Sequence, residues 1–282
     1  MGFLRQILTD QRASDRGLVA PGGSSRRVLS IVSDRLCALT DIGRQRETNE
    51  DAVYASHDGC LLAVADGMGG EAAGEQASAL SIEAVRAVFD AARAEQEIPG
   101  SQLLLRAFQH AQTTVMRASN EHQSWKGMGA ALVVAFIAGD DLFVCHAGDA
   151  RCYLATNGRI ERITDDHSIV AQLLKKQQIT AEQAISHPQK GVLLQAIGLP
   201  SGIAPKVVSR KLDNGDRVLL CSDGAWEGIS EDDIRCTLTA EGTMRELAII
   251  LADQANFLDG SDNISVVLYE HGRETIPAGC SR

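Results

Sequence analysis

An α+β fold, two stacked antiparallel β-sheets flanked by helices on both outer faces, is predicted by three observations in the 282 residues. Short apolar or alternating runs recur between turn signals, as sheets made of hairpins require. Two long stretches of helical spacing interrupt these runs, and a third precedes the last of them. Blocks of strands separated by helices favour sheets packed face to face with the helices outside, a four-layer αββα sandwich.

The elements follow in order. Leu36 to Ile42, Ala52 to Ser56 and Cys60 to Ala65 read as strands, the last two joined at His57-Asp58-Gly59. From Ala77, residues Leu80, Ile82, Val85, Val88 and Phe89 keep roughly helical spacing. After the Pro99-Gly100 break, Leu103, Leu104, Ala107, Phe108, Ala111, Val115 and Met116 repeat it. Strand character returns over Ala131 to Ala138, turns at Gly139-Asp140-Asp141, and resumes over Leu142 to Ala147 and over Arg151 to Ile163, folded at Thr156-Asn157-Gly158. Residues 167 to 190 are helical in character. Two more strands, Val207 to Leu212 and Arg217 to Cys221, meet at Asp213-Asn214-Gly215-Asp216. Thr243 and Glu246 have capping-box spacing at the head of a last helix, and Ile264 to Tyr269 closes the fold as a strand.

Residues 1–34 read as a flexible N-terminal extension, because Pro21-Gly22-Gly23-Ser24-Ser25-Arg26-Arg27 is turn-rich and charged. One folded domain is expected over 35–272, with a tail over 273–282. The formal net charge of -10, with no basic run, excludes a nucleic-acid partner. No apolar run approaches the length of a membrane span, and Met1 to Leu8 lacks the apolar stretch of a signal peptide. The seven cysteines are odd in number and spread singly, which fits free thiols in a reducing cytoplasm.

Four carboxylate-bearing steps stand at the edges of strand-like runs: Thr48-Asn49-Glu50-Asp51, Asp66-Gly67-Met68-Gly69-Gly70, Ser222-Asp223-Gly224 and Ser261-Asp262-Asn263. Asp66 and Asp223 end strands and Asp262 begins one, so antiparallel pairing can bring all three to one edge. Oxygen ligands of this kind suit magnesium or manganese, whereas zinc or iron would call for Cys and His clusters. Any one Asp-Gly step is an ordinary turn. The four carboxylate steps in one order, with Arg46 upstream, read instead as a binuclear metal site.

The order Thr40-Asp41-Ile42-Gly43, Arg46, Asn49-Glu50-Asp51, Ala65-Asp66-Gly67-Met68-Gly69-Gly70, Gly127-Met128-Gly129, Gly148-Asp149-Ala150-Arg151, Thr164-Asp165-Asp166-His167-Ser168, His187-Pro188, Leu220-Cys221-Ser222-Asp223-Gly224 and Asp262-Asn263 resembles a known family. It is that of the metal-dependent protein serine/threonine phosphatases of the type 2C class, bacterial branch, over about residues 38 to 270. The resemblance implies two Mn2+ or Mg2+ ions per chain. Asp66 would bridge them, the carbonyl of Gly67 would complete one, and Asp223 and Asp262 would hold the other. Glu50 and Asp51 would act through waters in the cation shells, and Arg46 would clamp phosphate with its planar fork. Asp41 and Asn263 would support these ligands from behind. Water would then attack phosphorus directly, with no covalent phosphoenzyme. The implied substrates are phosphoserine and phosphothreonine proteins, including a partner Ser/Thr kinase or its targets, and the implied state is a cytoplasmic monomer.

Departures from the family pattern carry their own expectations. Gly129-Ala130-Ala131 and Ala150 replace Thr and Ser of many relatives, which keeps open an inactive regulatory module, although no metal aspartate is lost. Met68 stands where animal relatives have His, so leaving-group protonation needs another donor. Asp149 would ligate a third cation, and Lys175 falls about where some relatives carry an acidic flap ligand, so that site is expected to be weak and further opposed by Lys175 if it points inward. His167 and His187 read as structural hydrogen-bonding residues. Cys145-x-x-Gly148-x-x-Arg151 has the spacing of a thiolate phosphatase loop, but Val144, Asp149 and the hairpin after Arg151 oppose it.

Overall fold

The structure is a computed structural model, and its described residues are 18–20, 26–92 and 99–272. Strands β1 (Leu18–Ala20), β4 (Asp51–Ala55), β5 (Leu61–Met68), β6 (Gly129–Ala138), β7 (Asp141–Ala147) and β10 (Val207–Lys211) form one sheet in that order. Strands β2 (Arg27–Ser33), β3 (Leu36–Asp41), β12 (Ile264–Glu270), β11 (Arg217–Cys221), β8 (Arg151–Thr156) and β9 (Arg159–Arg162) form the second. Every pairing is antiparallel.

Alternate side chains of each strand enter different cores. Tyr54, Leu132 and Val134 meet α1 (Glu71–Ala92) and α2 (Gly100–Glu121) through Ile82, Val85, Leu104 and Phe108. Val53, Val64 and Val133 point the other way, to the inter-sheet core with Leu154 and Leu220. Leu219 and Val266 face outward from the second sheet onto Leu247 and Leu251. Those two belong to a terminal helix, Met244–Leu258. Because both faces of each sheet are covered, β5 is buried from Leu61 to Ala65 and reads as an unbroken apolar run rather than an alternating one. Each fully buried Leu or Val there contributes about 1.5–3 kcal/mol, so the four layers hold one another.

The predicted sandwich is therefore observed, with differences at the margins. The folded unit reaches beyond the expected boundary at residue 35. Leu18–Ala20 pairs with β4 and Arg27–Ser33 pairs with β3, so each sheet gains an edge strand from the predicted extension. The Pro-Gly-Gly-Ser-Ser run masked these short strands in the sequence. Residues 1–17, the 21–25 segment and the 273–282 tail lie outside the described residues. Helix α1 begins at Glu71, six residues before the predicted start, because its first turns carry small residues without an apolar period. The 167–190 stretch resolves into α3 (Ile169–Lys175), which is half-buried, and α4 (Ala181–Ile185), which is largely exposed. Two helices were not anticipated: α5 (Asp223–Trp226) is a single turn, and α6 (Glu231–Thr239) shows only Ile234 and Leu238 as an apolar pair. The terminal helix, α7, starts as predicted, with Thr243 Oγ1 accepting the Glu246 N–H at 3.3 Å and Glu246 Oε2 accepting the Thr243 N–H at 2.8 Å.

Candidate metal centre

Strand register brings the carboxylates to one edge of both sheets. Asp51 opens β4 directly opposite Asp66 near the end of β5, and Asp66 faces Ala131 on β6. In the second sheet Cys221 pairs with Val266, so Asp223 follows the end of β11 beside the start of β12, which Asp262 precedes. Asp149 lies between β7 and β8 at the same edge, two residues before Arg151, which pairs with Cys221.

Hydrogen bonds lock this edge across the two layers. Ser222 Oγ donates to Asp51 Oδ2 at 2.8 Å and accepts the Ser265 N–H at 3.0 Å, tying the first sheet to the second. Asn263 Oδ1 accepts the Glu50 N–H at 2.8 Å, while Asn263 Nδ2 donates to the carbonyls of Ile42 and Thr48, both at 3.0 Å. Asn49 Nδ2 and Ser265 Oγ both donate to Thr40 Oγ1 at 2.8 Å. Asn263 thus holds the 42–50 loop. Asp41 is buried, and its Oδ1 accepts the Gly43 N–H at 2.9 Å, so it supports the turn that leads to Arg46.

Gly67 is required for a reason the sequence did not show. A Cβ there would lie 2.6 Å from the Glu50 carbonyl oxygen and 2.5 Å from the carbonyl carbon of Gly74 on α1, so a side chain would push the helix off the site. Gly74 in turn leaves room for the Glu50 carboxylate, whose Cδ would lie 2.7 Å from an added Cβ.

The site is strongly anionic. Burial, and then the charges of Asp223 and Asp51, push the Asp66 carboxyl well above the usual carboxylate range. Burial followed by Asp149 and Asp262 raises Asp223 to about 8. Burial raises Asp51 to about 7 against hydrogen bonds from Ser265 and Ser222, and burial followed by Asp166 raises Asp149 to about 6. Oδ1 of Asp223 is buried with no hydrogen-bond partner. Buried, mutually repelling carboxylates with an unpartnered oxygen fit a centre completed by hard cations. Among the described residues no three His, Cys, Asp or Glu side chains are grouped closely enough to hold a metal ion by themselves. Magnesium-type ions take one or two carboxylates and fill the remaining positions with water, so the donor set fits them nonetheless.

Arg46 Nη2 contacts Asp262 Oδ2 at 2.6 Å. Partial burial opposes its charge, but Asp262, Glu50 and Asp223 raise its pKa further above the ordinary guanidinium value. Lys175 does not point at Asp149 as the sequence reading allowed: its Nζ lies 3.0 Å from Asp165 Oδ2 on the surface. The expected repulsion from Lys175 therefore has no structural basis. The sequence reading also missed Glu227, one helical turn after Asp223, whose charge raises both Asp223 and Asp149. The i, i+4 spacing of two acids on one turn was the available signal. Lys190 holds Glu227 at 2.8 Å from the segment that carries α3 and α4. A cleft of about 1000 Å³ opens beside Asp149, between Trp226 and this segment.

The thiolate-loop alternative is excluded by geometry. Cys145 is fully buried in β7, its thiol pushed up to about 12 by burial. Arg151 makes a two-pronged pair with Asp166, at 2.9 and 2.6 Å, and covers the Trp226 ring, so it is not free to cradle phosphate. His167 and His187 are structural: His167 Nδ1 accepts the Gly148 N–H at 3.4 Å and its ring stacks on His146, and His187 Nδ1 accepts the Gln189 N–H at 3.1 Å.

Comparison with known proteins identifies the family and the fold. Residues 43–257 match the family described as protein phosphatase 2C. A serine/threonine phosphatase of Listeria monocytogenes, Stp, is 34% identical over 238 residues, spanning 82% of this chain and 93% of that protein. The crystal structure of the Mycobacterium tuberculosis serine/threonine phosphatase PstP/Ppp superposes with a TM-score of 0.76 at 35% identity, covering 85% of this chain and 99% of that one. The catalytic domain of PstP in complex with two manganese ions gives a TM-score of 0.74 at 34% identity, with 86% and 98% covered.

Proposed function

The chain belongs to the protein phosphatase 2C family, is a metal-dependent serine/threonine protein phosphatase, and, we propose, uses Asp66, the Gly67 carbonyl, Asp223 and Asp262 to hold two divalent cations. The observation that carries the assignment is the convergence of Asp51, Asp66, Asp223 and Asp262 on one edge of two sheets, where burial and crowding raise the carboxyls of Asp51, Asp66 and Asp223 and Asp223 Oδ1 is buried without a partner. Mn2+ or Mg2+ at this edge would lower the pKa of a shared water and neutralise phosphoryl oxygens.

Each residue then has a task. Arg46 swings from Asp262 to two phosphoryl oxygens and keeps the phosphorus in line with the attacking water. Asp51, fixed by Ser222, and Glu50, fixed through its backbone by Asn263, would orient water around the bound cations. Asp149 and Glu227 offer a third, weaker cation position beside the cleft, where Lys190 already shares Glu227. The polypeptide around the phosphorylated residue lies along that cleft.

The substrates are phosphoserine and phosphothreonine proteins, among them a Ser/Thr kinase or its targets, and the enzyme works as a cytoplasmic monomer. Support for this reading comes from the related bacterial phosphatases and from Cys37, Cys145, Cys152, Cys221 and Cys236, which are free thiols among the described residues. No helix among the described residues is long and apolar enough to cross a membrane. Single-turnover hydrolysis of a phosphothreonine peptide in H2(18)O tests the direct-attack step. One solvent oxygen should enter phosphate and an acid quench should trap no phosphoenzyme, and a trapped covalent phosphoenzyme would contradict direct attack.

A further inference from the structure

Arg27 lies outside the family match, which begins at residue 43, yet it is wired to the phosphate-binding loop. It opens β2 directly opposite Asp41, and its Nε donates to Asp41 Oδ2 at 2.6 Å. Its Nη2 donates to Asp253 Oδ1 on α7 at 2.8 Å, so one guanidinium joins the N-terminal strand, the end of β3 and the outer helix layer. The neighbouring Arg26 carbonyl accepts the Ile42 N–H at 2.8 Å, which binds the same loop through the backbone.

The Asp41 carboxylate is buried, with 4% of the residue exposed, and Arg27 is the cation beside it. A buried carboxylate held by a guanidinium keeps its geometry; stripped of that partner it must seek water or another donor. The other Asp41 oxygen accepts the Gly43 N–H at 2.9 Å. Gly43 has φ +81° and is pressed so closely on the Asp262 segment that an added Cβ would lie 3.1 Å from the Asp262 carbonyl carbon and 3.2 Å from the Gly260 carbonyl oxygen. The next residue, Arg44, donates its N–H to the Gly260 carbonyl at 2.8 Å and its Nη2 to the Asp259 carbonyl at 2.7 Å. Two residues further on, Arg46 reaches Asp262 itself. Arg27, Asp41, Gly43 and the 259–262 segment therefore form one chain of contacts that ends at the proposed phosphate clamp and a proposed cation ligand.

We propose that Arg27 is a positioning residue for phosphate binding: by holding Asp41, the N-terminal strand sets the 42–46 turn and so the reach of Arg46. The inference rests on the phosphatase reading above. It assigns catalytic consequence to a segment outside the family match.

The test uses the full chain loaded with Mn2+, titrated with inorganic phosphate in a calorimeter and assayed on a phosphothreonine peptide. Arg27→Ala should weaken phosphate binding roughly tenfold and raise KM in parallel, with kcat within about twofold. Arg27→Ala combined with Asp41→Asn should recover most of the affinity, because no uncompensated buried carboxylate remains. Val28→Ala, which trims packing on the inter-sheet core from the same strand, should lower the melting temperature and leave phosphate affinity unchanged. Arg27→Lys, the variant to use if the alanine change prevents folding, should weaken phosphate roughly threefold, since one ammonium cannot hold Asp41 and Asp253 in the same fork geometry. Wild-type phosphate affinity in the folded Arg27 variants overturns the proposal, as does an equal loss in Val28→Ala. Turnover by the unsubstituted protein reports on the phosphatase reading separately, since calorimetric phosphate binding needs no turnover.

Discussion

Nη2 of Arg46 lies 2.6 Å from Oδ2 of Asp262, so the proposed phosphate clamp rests on a proposed cation ligand. The pair is half exposed on the arginine side, and exposed ion pairs of this kind contribute only about 0–1 kcal/mol. Moving Arg46 to a phosphoryl group therefore costs little. Arg46→Ala should raise KM for phosphopeptides about ten- to a hundredfold, the loss expected for a charge-assisted hydrogen bond, with a smaller effect on kcat. Manganese affinity, followed by calorimetry, should hold or increase because Asp262 loses a competitor. A marked fall in metal affinity would contradict this division of labour.

Asp66→Asn and Asp223→Asn should lower kcat by about a hundredfold or more, since each removes an anionic ligand from cations whose charge stabilisation amounts to several kcal/mol. Steady-state assays over a manganese series check this. Recovery of full turnover at modest manganese in Asp66→Asn would rule out a bridging role for Asp66.

Cys145→Ser should leave turnover within about twofold. The thiol is fully buried and pushed up to about 12, so it is neither a thiolate nor reachable at pH 8. Mass spectrometry after iodoacetamide treatment of the native protein should find Cys145 unmodified and activity retained.

Metal-free protein should lose stability as pH rises. The folded carboxyls of Asp51, Asp149 and Asp223 titrate near 7, 6 and 8, while unfolded aspartates titrate near 4. Between those values the folded chain holds more protons than the unfolded one, so unfolding becomes easier with each step up in pH. Melting temperature after chelation should fall from about pH 5 to about pH 8. Saturating manganese should remove most of that slope, and a rising melting temperature across the window in chelated protein would contradict the buried-aspartate geometry.

The sequence made the four layers legible because Leu39, Leu62, Val133, Leu220 and Val266 sit in runs bounded by clear turns, and because Thr243 and Glu246 announce the last helix. The carboxylate edge was legible only in part: antiparallel pairing of β11 with β12 makes Asp223, just past a strand end, a neighbour of Asp262, just before a strand start, whereas Asp66 lies on the other sheet and reaches the same edge through the stacking of the two layers. Short-range pattern failed where function depends on contacts between distant segments. Ser222 supports Asp51 across 171 positions, Arg27 supports Asp41 from a stretch that reads as a linker, and Gly67 answers to Gly74 on the packed helix rather than to its own turn. Glu227 was overlooked because its one signal, an acid four residues after Asp223, falls on a single helical turn with no apolar period to mark it as helix.

The most direct test of the account is phosphothreonine-peptide hydrolysis by exhaustively chelated protein, with manganese then titrated back. The two-cation centre built from Asp66, Gly67, Asp223 and Asp262 predicts no turnover after chelation and full recovery as manganese is restored, with two bound ions per chain by calorimetry. Undiminished turnover in the chelated protein would contradict it.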